Sequence, residues 1–223
     1  MSAPRSPLVD GAPFTPDARL PIAVLASGGG SNLAALLRRA GEPSARFSIA
    51  VVVVNVAGAG AIARARDAGV PVVVEPHREH ASREAFERAL VDRVRAHGAR
   101  LVVLAGFMRV LTATFLDAFP RRVVNVHPAL LPAFPGMHGA RQALLHGARV
   151  AGCTVHIVDA GVDTGPILAQ TAVPIEDDDD EDALTARIQR AEHALLPEVV
   201  DAIARGDVVV EDGRVRARGI RSR

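Results

Sequence analysis

Apolar residues in this chain cluster in short continuous runs, and polar, helix-spaced segments separate them. PIAVLAS, at 21–27, reads as a strand. GGGSN follows it, and then a helix over about 32–40. Residues 48–54 form a second continuous apolar run, followed by a helix over about 59–68. A third strand is expected at 70–74. A helix follows at 82–96, with Ser82 as its N-cap. Runs at 101–105 and 123–127 give a fourth and a fifth strand. None of these strands alternates apolar with polar, so both faces are buried, which implies a mostly parallel sheet with helices on each side.

The pattern changes after Gly136. A short helix is expected at 140–146. Strands at 154–158 and 167–173 are joined by the turn-rich DAGVDTGP, a link short enough for antiparallel pairing. The acidic EDDDDED leads into a helix over about 182–205, with Leu184, Ile188, Ala191, Leu195 and Val199 at helical spacing and Pro197 expected to kink it. A last hairpin, DVVVEDGRVRA, turns at Asp212-Gly213. The fold expected is α/β and Rossmann-like: a mostly parallel twisted sheet, helices on both faces, antiparallel strands toward the C-terminus. Residues 1–19, rich in proline and small residues, read as a flexible extension without the apolar core of a signal peptide. Residues 20–223 read as one domain.

Composition narrows the chemistry. At 223 residues and 49% hydrophobic, the chain can bury a sizeable core. Its net charge of +1 gives no electrostatic case for a nucleic-acid surface. Every basic residue other than histidine is arginine, which excludes a Schiff-base or P-loop lysine. The single cysteine, Cys153, sits in apolar GCTVHIV and reads as buried and structural; one cysteine forms no intrachain disulfide, in keeping with a reducing, cytoplasmic setting. The uncharged stretch 47–63 is short for a membrane span and holds Asn55 and two glycines, so a strand, turn and helix explain it better.

Three segments carry candidate chemistry. In ASGGGSNL, glycines between strand and helix let backbone approach a ligand, and the free N–H groups of the helix start suit a phosphate; the alternative is a capped tight turn. A dinucleotide fingerprint needs a glycine where Leu33 stands and an acidic residue where the second strand ends in Val54-Asn55. In NVHPALLPAFPG, Asn125 and His127 stand at i and i+2 and point to one side of a strand end, where open α/β sheets bind ligands. Pro128 holds His127 extended, and the prolines order the loop behind it. In DAGVDTGP, Asp159 and Asp163 flank a turn; the structural reading is an Asx-turn, and the chemical one is a carboxylate that orients His127 as an imidazolium. An amide, a proton carrier and a carboxylate are the parts that stabilise an oxyanion and move a proton in acyl transfer. No serine or cysteine is placed as nucleophile, so the attacking amine or water comes from a substrate.

The succession SGGGSNL, LAGFMRVL, NVHPALLPAFPG, HGARQAL, TVHIVDAGVDTGPIL and RIQRAEH resembles the folate-dependent phosphoribosylglycinamide formyltransferases, over about residues 21–210. The resemblance implies transfer of formyl from 10-formyltetrahydrofolate, as co-substrate, to the amine of glycinamide ribonucleotide in purine synthesis. It assigns oxyanion stabilisation to Asn125 and His127, and pairing with His127 and proton relay to Asp163. Gly30, Ser31 and Asn32 would hold the phosphate, with Glu192 nearer the glycinamide or ribose. Met108, Arg109, Val110 and Leu111 would line the folate pocket, helped by Arg83, Asp159, Asp163 and Asn125. It implies no metal, no nucleic acid and no membrane, and leaves room for a homodimer. Glycine at 29 stands where the family carries asparagine, and alanine at 140 where it carries a second histidine.

Competing readings use the same residues. A deformylase would activate water in place of an amine and usually carries an N-terminal regulatory domain. An initiator-tRNA formyltransferase would need a nucleic-acid-binding domain after the catalytic one. A sugar-nucleotide formyltransferase or a non-catalytic nucleotide-binding module completes the set. His77, His80 and His97 read as solvated, and His156 as a core or supporting histidine. The acidic run 176–182 lacks the alternating ligand pattern of a calcium loop and reads as a solvated helix start.

Overall fold

The structure, a computed structural model, describes residues 6–7, 19–211, 214–217 and 220. Its elements in chain order begin with strand β1 (Ser6–Pro7), β2 (Leu20–Ala26), helix α1 (Ser31–Ala40), β3 (Phe47–Val54), α2 (Ala61–Asp67) and β4 (Val72–Val74). They continue with α3 (Arg83–Ala96), β5 (Leu101–Leu104), α4 (Ala113–Leu116), β6 (Val123–His127), α5 (Gly139–Leu145) and β7 (Val150–Ile157). The last are β8 (Ile167–Pro174), α6 (Glu181–Arg205), β9 (Val208–Glu211) and β10 (Arg214–Ala217), and a 3₁₀ turn lies at His77–Glu79.

Seven strands form the main sheet in the order β4-β3-β2-β5-β6-β7-β8. The first five are parallel, and β7 enters antiparallel to both β6 and β8. The chain builds outward from β2 through β3 to β4, then returns to place β5 on the other side of β2. The C-terminal ends of β2 and β5 therefore form a topological switch point, where loops diverge and leave a crevice.

The central strands β2, β5 and β6 bury both faces, whereas the edge strands β4 and β8 are only partly buried. On β2, Ile22 and Val24 pack toward α1, α2 and α6, while Ala23 and Leu25 pack toward α3 with Phe86, Leu90 and Phe115. Two hydrophobic layers thus sandwich the sheet, as continuous apolar runs require. Ser82 caps α3 by accepting from the Ala85 N–H. Helix α6 runs unbroken through the buried Pro197.

The structure departs from the pattern reading at the start of β7, at Ser6–Pro7, at two histidines and in the acidic run, and it adds the short helix α4. β7 begins at Val150, before the expected start, because Gly152 breaks the β-branched run; a Cβ there would lie 2.1 Å from the Thr171 carbonyl oxygen, so only glycine lets β8 close. Ser6–Pro7, inside the expected flexible extension, pairs antiparallel with Val209 and Val210. His77 and His80 are half-buried rather than solvated: His80 Nε2 lies 2.8 Å from the buried Glu75, and His77 Nδ1 lies 3.3 Å from the Asn55 carbonyl oxygen. The acidic run is only partly solvated, since Arg187 clamps Asp179 and Asp180 caps α6 through the Ala183 N–H. The hairpin β9–β10 forms as expected; its turn, Asp212-Gly213, lies outside the described residues. Among the described residues, no helix is long and apolar enough to cross a membrane.

Candidate active site

A cavity of about 780 Å³ opens at the switch point. That is room for small organic molecules with a few polar anchors. The Gly28–Gly29–Gly30 loop after β2 forms one end, with Ser31 and Asn32. Residues 106–111 after β5 form another wall, the ends of β6 and β7 the floor, and α6 a side.

The glycine loop is shaped by close packing. Gly30 has φ 75°, and a Cβ there would meet Ala61 Cα at 2.9 Å. Both facts demand glycine. The Ala61 N–H donates to the Gly28 carbonyl at 3.1 Å, which tucks the loop against the start of α2. The N–H groups of the first turn of α1 then face the cavity end without intrahelical partners. Asn32 is 8% exposed; its Nδ2 donates to Glu192 Oε2 at 2.8 Å, and its Oδ1 has no donor. A buried acceptor without a donor on a cavity wall calls for a ligand that brings one. Burial pushes the Glu192 carboxyl up to about 7, against the opposing Asn32 hydrogen bond. The same carboxylate and burial push the Cys153 thiol up to about 12, with burial dominant, so this cysteine is structural.

At the floor, β6 delivers Asn125 and His127 to one side, and the antiparallel register sets His156 directly across from Asn125. His156 Nε2 lies 3.2 Å from Asn125 Nδ2 and 3.5 Å from Asp163 Oδ1, while its Nδ1 donates to the Ile157 carbonyl at 3.0 Å. His127 is 4% exposed; its Nε2 donates to the Phe134 carbonyl at 2.9 Å, and its Nδ1 lies 3.3 Å from Asp163 Oδ2. The two ring nitrogens thus face two acceptors, a backbone carbonyl and a carboxylate. For Asp163 burial opposes ionisation, and the hydrogen bond from His156, the Gly136 N–H at 2.8 Å and the charge available on the two imidazoles outweigh it. The carboxyl is held below the usual range.

The proline-rich loop is itself held. Buried Thr154 on β7 donates to the Ala129 carbonyl at 2.7 Å and accepts from the Leu131 N–H at 3.0 Å. Gln170 on β8 donates to the Leu131 carbonyl at 2.8 Å. These bonds fix the Phe134 carbonyl against His127. Asp159 supports the facing loop, accepting from the Gly161 N–H and the Thr164 hydroxyl. The Asx-turn reading thus holds for Asp159, while Asp163 is turned inward at φ 55°.

On the third wall, Met108, Arg109, Val110 and Leu111 line the cavity, with the Met108 side chain 74% exposed at its rim. The Arg109 guanidinium lies 5.5 Å from the Phe86 ring centroid. Arg83 is not part of the lining: its guanidinium holds the Val110 carbonyl and lies 3.4 Å from the buried Glu87. Glu87 in turn accepts from the Thr112 N–H and hydroxyl. Ser27 joins two walls, accepting from the Met108 N–H at 2.9 Å and donating to Asn55 at 2.7 Å. Thr154, Gln170, Glu87 and Ser27 escaped the sequence reading because their partners lie far along the chain. Gln189 also lines the cavity; it stands one helical turn before Glu192, a spacing that could have flagged it.

This floor of amide, imidazole and carboxylate beside an anion-ready loop defines a group-transfer enzyme of the formyl transferase class. The formyl transferase family model matches residues 20–200, and the chain belongs to that family. Among its relatives, the phosphoribosylglycinamide formyltransferase of Mycobacterium tuberculosis (strain H37Rv) is 48% identical over 205 residues, 92% of this chain and 94% of that protein. The trifunctional purine biosynthetic protein adenosine-3 of Drosophila melanogaster is 45% identical over 191 residues; the match spans 85% of this chain but only 14% of that protein. Among solved structures, glycinamide ribonucleotide transformylase 1 from Symbiobacterium toebii superposes with TM-score 0.87 at 47% identity, covering 89% of this chain and 94% of that one.

Proposed function

We propose that this chain is a phosphoribosylglycinamide formyltransferase. It moves the formyl group of 10-formyltetrahydrofolate to the amine of phosphoribosylglycinamide, a step of purine biosynthesis that we place in the cytoplasm. One observation carries the reading: the Asn125, His127 and Asp163 cluster stands on the wall of the same cavity as the glycine loop. Family membership and relatives of that name at 48% identity support it.

Gly30, Ser31 and Asn32 take the phosphate at the start of α1, where backbone N–H groups and the helix dipole favour an anion. Glu192 and the unpaired Asn32 Oδ1 accept from sugar hydroxyls or the glycinamide. The folate lies along Met108, Arg109, Val110 and Leu111, against the loop of Asp159 and Asp163. Arg83 acts from behind, by holding the Val110 carbonyl.

The substrate amine attacks the formyl carbon, and the carbonyl oxygen gains negative charge. Asn125 donates to that oxygen through its amide. The His127 Nε2–H turns from the Phe134 carbonyl toward the same oxygen as charge builds there. Asp163 keeps the imidazole charged and passes the proton lost by the amine toward N10 of the folate, whose bond to the formyl carbon breaks. His156, whose Nε2 stands between the Asn125 amide and Asp163, helps hold both side chains in place.

The test mixes purified protein with 10-formyltetrahydrofolate, with and without phosphoribosylglycinamide, and follows tetrahydrofolate. Release that requires the nucleotide is expected. Equal release without it would make the chain a hydrolase.

A further inference from the structure

We propose that Arg64 supplies the counter-charge for the phosphate end of this cavity and holds the glycine loop in its phosphate-binding shape. The proposal rests on the reading above and adds a residue to it.

A phosphate monoester carries about −1.5 to −2 charges at neutral pH. A helix N-terminus offers about half a positive charge against it. Among the described residues the one arginine in the cavity lining is Arg109, engaged over Phe86 on the face of the sheet opposite α1. The acidic Glu192 lines the wall beside the loop, bonded to Asn32. Among the described residues the phosphate end therefore has no cation in its own wall.

Arg64 stands directly behind it. Its Nε donates to the Gly29 carbonyl at 2.8 Å. Its stem covers Gly30, where a Cβ would lie 3.3 Å from Arg64 Cδ. It projects from α2, the helix whose Ala61 N–H already holds the Gly28 carbonyl. The residue is exposed, and among the described residues the Gly29 carbonyl is the one hydrogen-bond partner of its side chain. Both terminal nitrogens are thus available to an anion, and a guanidinium suits phosphate oxygens. By bonding the Gly29 carbonyl, Arg64 also occupies a carbonyl oxygen that would repel the phosphate.

Asn32 identifies the ligand independently. Its buried Oδ1 requires a donor beside the anion, which a sugar hydroxyl supplies. The pair points to a sugar phosphate.

The experiment compares wild type, Arg64→Ala and Arg64→Lys in two measurements. Calorimetric titration with ribose 5-phosphate should show binding about tenfold weaker in Arg64→Ala, with most of the loss recovered in Arg64→Lys and the gap narrowed by added salt. Steady-state kinetics should place a similar factor on KM for phosphoribosylglycinamide, while kcat and KM for the formyl donor change less than about twofold. The unphosphorylated riboside should be used equally by all three proteins. Equal ribose 5-phosphate affinity in wild type and Arg64→Ala, no binding by wild type, or an equal loss with the unphosphorylated riboside would each overturn the assignment. A wild type that binds ribose 5-phosphate through Arg64 yet transfers no formyl group would leave the assignment standing and sink the function. Normal transfer with unchanged affinity in Arg64→Ala would do the reverse.

Discussion

At Asp163 burial works against ionisation, and His156, the Gly136 N–H and His127 reverse it. The charge so maintained faces His127 Nδ1 at 3.3 Å. Asp163→Asn keeps the shape and removes the charge. Turnover should fall by about 10²–10⁴-fold, the usual worth of a proton-transfer group, while the dissociation constant of the formyl donor changes less than about fivefold. Single-turnover kinetics with a binding titration would check this, and near-normal turnover would remove Asp163 from the mechanism. Glu192 makes the opposite case, because burial raises its carboxyl from 4.5 to about 7. Between these values the folded chain holds a proton that the unfolded chain has released, so stability falls as pH rises through this window. Glu192→Gln abolishes the effect. From about pH 5 to about pH 8 its stability should improve relative to wild type by on the order of 3 kcal/mol, read from urea denaturation at both pH values. A difference independent of pH would show that Glu192 ionises freely. Asn125 and His127 were legible in the sequence because strand periodicity and a proline-flanked loop fix where they point; the turn offered Asp159 and Asp163 alike, and the family resemblance singled out Asp163. The occupation of both His127 nitrogens was not legible, since the Phe134 carbonyl faces the ring only once the loop has folded back.

The elements that carry these residues depend on a few close approaches. Gly30→Ala would place a methyl 2.9 Å from the Ala61 backbone in a left-handed conformation, so the loop must open. Nucleotide affinity should drop by at least about tenfold, with a stability loss of about 1–3 kcal/mol, measurable by titration and denaturation. Thr154→Val tests the proline-rich loop. It leaves the Ala129 carbonyl and Leu131 N–H without their shared partner, which should cost about 1–3 kcal/mol and lower kcat, since the Phe134 carbonyl is no longer held on His127. An unchanged kcat would mean that the loop orders itself without Thr154. Strand β6 was readable to the residue from VVNVH, and α3 from its Ser82 cap, because both signals are local. The early start of β7 was hidden by Gly152, whose lack of a side chain serves β8 rather than its own strand. The four-residue α4 is too short to show a period.

At the scale of the molecule, function follows from strand order. Placing β5 beside β2 brings the glycine loop and the 106–111 wall together, and Ser27 ties them through the Met108 N–H. The antiparallel β7 brings His156 and the loop of Asp163 to the end of β6. Continuous apolar runs announced the parallel core, but no local pattern announced which strand would lie next to β2. A cavity formed between loops so far apart in sequence should couple binding to global stability. Phosphoribosylglycinamide at about a hundred times its dissociation constant should add about 2.7 kcal/mol, raising Tm by about 5–10 °C. Calorimetry is the suitable readout, because the chain has no tryptophan or tyrosine. The central claim, that this cavity carries a formyl group from folate to a nucleotide amine, is tested most directly by the fate of the carbon. The donor would carry ¹³C in its formyl group, and mass spectrometry would follow the label with wild-type protein and both ligands present. The account predicts label on the amine of phosphoribosylglycinamide, one for each tetrahydrofolate formed. Label recovered as free formate, or left on the folate, would contradict it.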